Sequence, residues 1–449
     1  MSFSEIPPPP ELEPGQDLPH LRVLPPGPQS RSWLLRYTHA AAPMGPKRRP
    51  RQGGLVADVP ASTIVYALGK GSNVIDVDGN RYVDLAAGFG ALLLGHSHPN
   101  LRRVLELQAD RLLQALGDVH PADARIALTE RLGKLHPSGD GQVILGQSGA
   151  DAVSAALKTA ALHTGKPGVL AFGGAYHGLS YGPLAALGLR ESYRAPFAAQ
   201  LNPHVRFVPY PSDEDSLDES IERARLALAA GDIGAVLVEP ILGRGGCLVP
   251  PPAFLPELGR LAQRSSALLV ADEIWTGLGR SGRLLYSAQH DVAADLVCLG
   301  KGLGGGLPIS ACIGRRDVMQ AWSRESEVVH TSTFAGAPFA CAAALATLDT
   351  LSRERLPERA ASVGRRFVQR LRAAGAKARG EGLMVGIELD ARPGGAVELM
   401  RSLLGVGYIT TSGGGSREAL VLTPPLNIAE SLLEAFAVEL ELCMGGAKA

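Results

Sequence analysis

The feature of this sequence that most constrains its fold is an alternation of short apolar runs with longer amphipathic stretches between residues 142 and 299. Apolar runs of about four to eight residues are typical of buried strands, and amphipathic stretches of about ten or more are typical of helices. An order of strand, helix, strand predicts a mostly parallel sheet. The predicted strands are 142–145, 205–208, 235–238, 267–271 and 296–299, and the predicted helices are 151–163, 217–229 and 254–264.

The segments on either side of this alternation predict two further units. Residues 73–84 contain two alternating runs joined by the turn sequence Asp-Gly-Asn, which predicts a β-hairpin. Downstream, the sequence predicts an alanine-rich helix from Pro338 to about Leu351, helices at 353–374 and 395–405, and strands at Met384–Leu389 and Ala419–Leu422. We therefore predict an α/β protein with a proline-rich arm, a large domain and a smaller C-terminal α+β domain, at 1–60, 61–345 and 346–449.

Composition excludes several classes of protein. Lys plus Arg and Asp plus Glu number 44 each in 449 residues, so there is no net charge to attract nucleic acid or an anionic membrane. The five cysteines are odd in number and scattered, which favours a reducing compartment. The start MSFSEIPPPP does not resemble a signal peptide, and no apolar run reaches the roughly 18 residues of a membrane span. We expect a soluble, cytoplasmic protein, and we interpret the basic cluster at 47–51 as a solvated loop.

Candidate site residues follow the predicted strands, where parallel sheets place their ligands. Strand 142–145 leads through Ser148, Gly149 and Ala150 into a helix, and backbone N–H groups at a helix start can hold a phosphate. A simple N-cap role for Ser148 would explain the same residues. Asp272 ends one strand, and Lys301 follows another between two glycines. A desolvated lysine with small neighbours is suited to forming a Schiff base with a flat ligand.

Three glycine-rich segments could be mistaken for nucleotide sites. Residues 277–282 match the pattern Gly-x-Gly-x-x-Gly, but no long helix follows them as it does in dinucleotide-binding folds. The segments 69–72 and 300–302 lack the earlier glycine of a P-loop. We therefore expect no nucleotide site, and we identify no metal-ligand cluster.

From about residue 73 to 440, the chain resembles the class III aminotransferases, which depend on pyridoxal 5'-phosphate (PLP) and have PLP fold type I. No single motif is specific, but the motifs occur together in the order found in the family. The matching motifs are Asp78–Asp84, Gly95–Pro99, Ser148-Gly149, Tyr176–Gly178, Glu239–Ile241, Asp272–Ile274, Gly279–Gly282, Lys301 and Thr333-Phe334.

The resemblance implies that Lys301 forms the Schiff base with PLP and moves the proton during transfer. It implies that Asp272 pairs with the pyridine nitrogen and keeps it protonated. Tyr176 and Ile274 would contact the two faces of the ring, although Tyr176 could also be a half-buried aromatic at a strand end.

The resemblance also implies a phosphate site and a dimer. Ser148, Gly149 and Ala150 would hold the phosphate, with one donor fewer than in members that carry a hydroxyl residue at position 150. Thr333 would reach the phosphate from a neighbouring subunit, which predicts a homodimer with active sites at the interface.

The departures from the family pattern concern the substrate. Val421 stands where members that use α-amino acids often carry an arginine, and Glu239 thereby loses its usual partner. Trp275 replaces a glutamine and is interpreted as an apolar wall. We therefore expect a primary amine donor without an adjacent carboxylate. Arg417 is a candidate for binding a keto acid such as pyruvate, unless it is a plain surface charge.

The sequence thus predicts an aminotransferase that moves an amino group from a primary amine or amino acid to a keto acid or aldehyde. A PLP-dependent racemase, epimerase or decarboxylase on the same scaffold is the alternative, because these enzymes share the lysine, the aspartate and the phosphate site. A catalytically silent binding protein is disfavoured by the presence of both Lys301 and Asp272.

Overall fold

The computed structural model describes residues 6, 15–42, 63–290, 293–389 and 395–445. The basic cluster at 47–51 and most of the proline run near the start lie outside these residues. In chain order the strands are β1 Tyr66–Lys70, β2 Asn73–Asp76, β3 Arg81–Asp84, β4 Gln142–Gly146, β5 Gly168–Phe172, β6 Val205–Val208, β7 Ile233–Val238, β8 Leu268–Asp272, β9 Leu296–Leu299, β10 Ser310–Gly314, β11 Lys377–Glu381, β12 Met384–Glu388, β13 Tyr408–Ile409, β14 Thr411–Gly413 and β15 Ala419–Leu422.

The helices alternate with these strands in the first two thirds of the chain and dominate after β10. They are α1 Pro28–Ala40, α2 Ala87–Gly90, α3 Pro99–Ala109, α4 Asp123–Gly133, α5 Gly149–Thr164, α6 Tyr181–Ala185, α7 Glu214–Leu228, α8 Phe254–Arg264, α9 Arg316–Met319, α10 Pro338–Arg353, α11 Leu356–Ala373, α12 Gly395–Gly405 and α13 Glu430–Gly445. All three helices predicted within the alternation are present, with bounds that differ by a few residues at most.

The centre of the molecule is a seven-stranded sheet in the order β4-β10-β9-β8-β7-β5-β6. Only β10 is antiparallel to its neighbours, so the predicted mostly parallel sheet is confirmed. Strands β7 and β8 are buried along their whole length, as expected for a sheet with helices on both faces. Strands β5 and β10 were not predicted from the sequence.

The predicted hairpin is confirmed as β2 and β3, which lie in a four-stranded sheet ordered β1-β2-β3-β13. Part of the proline-rich arm packs on this hairpin. The backbones of His20 and Arg81 exchange two hydrogen bonds of 2.9 Å, and the Ser30 N–H donates to an Asp78 carboxylate oxygen at 2.9 Å. The described part of the arm is therefore held against the hairpin.

The C-terminal region contains an antiparallel sheet in the order β11-β12-β15-β14, and the strands predicted there are confirmed as β12 and β15. Helix α11 begins three residues later than predicted, because Arg355 adopts a left-handed conformation with φ of 49° and Pro357 occupies the first helical turn. Helix α10 runs through residue 346 without a break, so the position of the domain boundary stays a prediction.

Backbone contacts attach this C-terminal sheet to the rest of the molecule. The N–H of Thr423 donates to the Leu85 carbonyl at 2.7 Å. Arg280, on the loop after β8, is fully buried and donates to the carbonyls of Leu383 and Pro424. The C-terminal sheet is therefore fixed against the loop that leaves the carboxyl end of β8.

Candidate active site

Three ionisable side chains lie at the carboxyl ends of adjacent strands. Glu239 follows β7, Asp272 ends β8, and Lys301 follows β9, and these strands are neighbours in the central sheet. Glu239 and Asp272 are buried, and Lys301 is partly buried. Because parallel strands end at the same edge, the topology gathers two acids and an amine at one position.

Asp272 is held in place by two hydrogen bonds. Its Oδ2 lies 2.7 Å from His177 Nδ1, and its Oδ1 accepts the Ile274 N–H at 3.1 Å. The other ring nitrogen of His177, Nε2, is buried and has no partner among the described residues. The motif Tyr176–Gly178 contains His177 but gave it no role, because its contact with Asp272 joins positions 95 residues apart. His177 is a positioning residue for this carboxylate.

Lys301 begins a short 3₁₀ turn and has a φ of 34°, which is strained for a residue with a side chain. Burial lowers the pKa of Lys301, the negative charges of Asp272 and Glu239 oppose that shift, and the positive charge of Arg244 adds to it. Its Nζ lies 4.5 Å from the centroid of the Trp275 ring. A lysine with a lowered pKa is more readily neutral, and the neutral amine is the form that attacks a carbonyl.

The start of α5 combines an N-cap with an open first turn. Ser148 Oγ accepts the Asp151 N–H at 3.3 Å, and the Asp151 carboxylate accepts the Ser148 N–H at 3.0 Å, so the simple N-cap role is present. The N–H groups of Gly149 and Ala150 have no acceptor within the helix. These two groups and the positive end of the helix dipole can hold a phosphate.

Small residues let this helix start pack closely against the site. A Cβ on Gly149 would lie 2.8 Å from Ile274 Cδ1, and a Cβ on Gly178 would lie 2.8 Å from the Ala150 methyl. The absence of a side chain at Gly178 therefore lets its backbone approach Ala150 closely. Gly300, which precedes Lys301, also has no side chain, and Ile274 packs closely against it.

Trp275 is buried beside Lys301, in the cleft at the carboxyl ends of β7, β8 and β9. A Cβ on Gly90 would lie 2.4 Å from its Nε1, and a Cβ on Gly243 would lie 2.3 Å from its Cε3, so both glycines are needed for this packing. Its Nε1 has no hydrogen-bond partner among the described residues. The position agrees with an apolar wall, and the contact of Trp275 with substrate stays a prediction.

Glu239 connects two segments of the site. Its carboxylate accepts the Tyr176 N–H at 2.6 Å and the Gly243 N–H at 3.0 Å. Among the described residues, the hydrogen-bond donors to this carboxylate are these backbone groups, and no arginine pairs with it. Burial raises the pKa of Glu239 to about 7; His177 opposes this shift and Asp272 adds to it.

This pKa predicts a pH dependence of stability in the cofactor-free protein. Because the folded-state pKa is raised above the ordinary 4.5, the stabilisation from Glu239 is complete below that pH and is lost as pH rises through about 7. Between about pH 5.5 and pH 8, we expect wild type to lose about 2 kcal/mol more unfolding free energy than Glu239→Gln. Urea denaturation at both pH values measures this difference, with Glu106→Gln, an exposed site, as control. Equal pH profiles for wild type and Glu239→Gln would contradict the assignment.

Three predicted site residues lie away from this cluster in the single chain. Val421 is buried in β15, where it pairs with Gly386 and Thr411. Arg417 is exposed after β14. Thr333 is exposed on the segment before α10. Its neighbour Ser332 accepts a hydrogen bond from Gln147, which lies just before the start of α5. The predicted roles of these residues are untested.

Arg244 is a second site residue that the sequence patterns did not indicate. It lies on the loop after β7, and its guanidinium carbon is 5.5 Å from the Tyr176 ring centroid and 5.9 Å from that of Phe89. Its Nε is buried and has no hydrogen-bond partner among the described residues.

The residues present fit PLP by their chemistry. A buried carboxylate with remaining acceptor capacity suits a protonated ring nitrogen, a lysine with a lowered pKa suits an aldehyde, and the N–H groups of α5 suit a phosphate. Within the described residues, there is no group of three or more His, Cys, Asp or Glu side chains that could bind a metal ion. No helix among those residues is long and apolar enough to cross a membrane.

Fold and site together define a PLP-dependent enzyme of fold type I. The model of the family "Aminotransferase class-III" matches residues 56–444, and the chain belongs to this family. Acetylornithine aminotransferase from Methanothermobacter thermautotrophicus is 35% identical over 379 residues, which cover 83% of this chain and 91% of that protein. The alanine/serine racemase of Pyrococcus horikoshii is 30% identical and covers 93% of this chain and 91% of its own length.

A solved structure gives the same result. The PLP-bound amine transaminase from an uncultivated Pseudomonas species is 27% identical, with a TM-score of 0.80 over 90% of this chain and 99% of that chain. The predicted fold, the PLP dependence and the aminotransferase class are thereby confirmed.

Proposed function

We propose that Lys301 and Asp272 carry the aminotransferase reaction at the ends of β9 and β8. The observation that carries this proposal is their placement at the ends of adjacent strands. His177 holds Asp272 in position, and burial lowers the pKa of Lys301. When bound, PLP supplies an aldehyde that accepts the amino group and a ring that withdraws electrons from the substrate carbon.

Each residue around the cofactor then has a separate task. Asp272 would keep the ring nitrogen of bound PLP protonated, and His177 holds Asp272 in orientation. Lys301 would hold the cofactor aldehyde through Nζ and would carry the proton of the substrate carbon. Tyr176 and Ile274 would contact the two ring faces. Ser148, Gly149 and Ala150 would hold the phosphate, with the N–H groups of α5 as the principal donors.

We propose that the preferred donor carries a primary amine without a carboxylate on the reacting carbon. Val421 supports this, because it is buried within β15 and has no donor for a carboxylate. Trp275 adds an apolar surface beside Lys301. The acceptor is a keto acid or an aldehyde.

The test is a set of half-reactions with purified holoenzyme. Simple amines, diamines and α-amino acids are each mixed with the enzyme, and conversion of the cofactor from its aldehyde to its amine form is followed by absorbance. Stoichiometric conversion by an amine, with a kcat/KM at least as high as that for glutamate, is the expected result. Release of carbon dioxide, or inversion of an amino acid without conversion of the cofactor, would contradict the proposal.

We also propose that the enzyme is a homodimer with shared sites. Four large apolar residues have about 60 to 70% of their surface exposed: Leu113, Leu116, Val119 and Phe334. Exposed apolar patches often mark surfaces that contact another protein. Gln114 lies among these four residues and its Nε2 donates to the Thr333 carbonyl at 3.0 Å, which places Thr333 at this surface. The Thr333 hydroxyl would then contact the phosphate bound in the active site of the other subunit.

Mixed dimers test this arrangement. In dimers of Lys301→Ala with Thr333→Ala chains, a shared site places both lesions in one active site and leaves the other intact. Because one of the two active sites is intact, we expect such dimers to approach half of the wild-type activity. Each parent variant alone should stay impaired. Analytical ultracentrifugation gives the oligomeric state, and no recovery above the parents would contradict a phosphate contact across the interface.

A cytoplasmic location is the remaining proposal. All five cysteines are free thiols, and four of them are buried where they act as small apolar side chains. Free thiols without disulfides are usual in a reducing compartment. Fractionation of cells with an antibody to the protein would test the location.

A further inference from the structure

Arg244 is a partly buried cation of the cleft. Among the described residues, no carboxylate forms an ion pair with its guanidinium and no acceptor binds its buried Nε. The aromatic rings of Tyr176 and Phe89 are its principal neighbours, at 5.5 and 5.9 Å. An anion would supply the acceptor that this guanidinium lacks within the described part of the chain.

The backbone of Arg244 is fixed from both sides. The N–H of the preceding Gly243 donates to Glu239 at 3.0 Å, and the Arg244 carbonyl accepts the Gly414 N–H at 2.7 Å. Gly243 also packs directly on Trp275. The guanidinium therefore projects from an anchored segment between the central sheet and the C-terminal sheet.

Lys301 lies in the same cleft. Its Nζ is 4.5 Å from the centroid of the Trp275 ring, and that ring also contacts Gly243, next to Arg244. The positive charge of Arg244 contributes to the lowered pKa of Lys301. The two acids of the site are already engaged, because Asp272 contacts His177 and Glu239 accepts two backbone N–H groups. Arg244 is therefore the cation with which a negatively charged substrate group can pair.

A keto acid carries a carboxylate next to its reacting carbon, and that charge needs a donor when it enters the cleft. Val421 has none, and Arg417 is exposed. On the basis of the aminotransferase function proposed above, we propose that Arg244 binds the carboxylate of the keto-acid acceptor. Its planar fork can donate two hydrogen bonds to one carboxylate. With an uncharged amine donor, the guanidinium stays on the faces of Tyr176 and Phe89.

The first test is binding without turnover. Propionate, an unreactive carboxylate, is titrated into wild-type holoenzyme and into Arg244→Ala, Arg244→Lys and Arg264→Ala holoenzymes by isothermal calorimetry. We expect Arg244→Ala to raise the dissociation constant by at least about tenfold and Arg244→Lys to give a smaller rise. Arg264→Ala, at an exposed position in the last turn of α8, should match wild type. Propionamide, which has no charge, should bind all four proteins alike.

The second test is the acceptor half-reaction of the amine form of the enzyme. Arg244→Ala should lose about 100-fold in kcat/KM for pyruvate and less than about threefold for propanal, which lacks the carboxylate. Equal losses for both acceptors would reduce Arg244 to a structural role and overturn the inference, as would unchanged pyruvate kinetics. A selective pyruvate loss in Arg417→Ala would assign the carboxylate to Arg417 instead. If wild type binds propionate through Arg244 but converts no acceptor, the proposed function fails and the carboxylate site stands.

Discussion

Lys301→Ala is expected to remove the visible absorption band of the lysine-bound cofactor and to lower turnover at least about 1,000-fold. The physical reason is that Nζ is needed both to hold the cofactor covalently and to move the proton of the substrate carbon. The absorbance spectrum of the purified variant, with and without added PLP, measures the first effect. Steady-state transamination measures the second.

A matched control separates loss of the lysine from general damage. Lys134 is exposed after α4, and Lys134→Ala should keep both the band and the activity of wild type. Circular dichroism should be the same for all three proteins. A Lys301→Ala protein that keeps the visible band would show that another amine holds the cofactor, and the central assignment would be wrong.

Asp272→Asn is expected to bind PLP and yet lose about 1,000-fold in kcat, or roughly 4 kcal/mol of transition-state stabilisation. The amide keeps the size of the side chain but has no negative charge to keep the ring nitrogen protonated. Cofactor content is measured after gel filtration, and kcat by steady-state assay. Asp215→Asn, at an exposed position of α7, is the control.

His177→Ala gives a second measure of the same role. We expect it to cost less than Asp272→Asn, about 10- to 100-fold in kcat, because the carboxylate stays in place and loses only one of its two hydrogen bonds. The pH profile of kcat should also shift, since His177 borders the charge of Asp272. Activity of Asp272→Asn within about tenfold of wild type would mean that the ring nitrogen has another partner.

The parts of the fold with a strong local signal were predictable. Strands β7 and β8 are continuous apolar runs, and helix α8 begins and ends at the predicted residues. Strand β11 was missed, because its sequence Lys-Ala-Arg-Gly-Glu is polar and resembles a loop. Its pairing with β12 comes from the tertiary structure and not from local pattern.

The same distinction applies to the site. Lys301 and Asp272 could be identified because each stands at the end of a predicted strand and carries chemistry there. His177 and Arg244 could not, because their significance depends on distances to residues far away in the chain. For Glu239 the sequence predicted the loss of the usual arginine partner but not the backbone N–H groups that donate to it, because no side-chain motif reveals such contacts.

The two glycines against Trp275 also bear on how this enzyme could be adapted to new amines. Gly90 and Gly243 have no side chains that could be shortened, so the Trp275 indole is the group that occupies this part of the cleft. Shortening Trp275 would open apolar volume beside Lys301, while enlarging either glycine would displace the ring by steric clash. A mutant library for bulkier substrates would therefore vary position 275 and leave positions 90 and 243 unchanged.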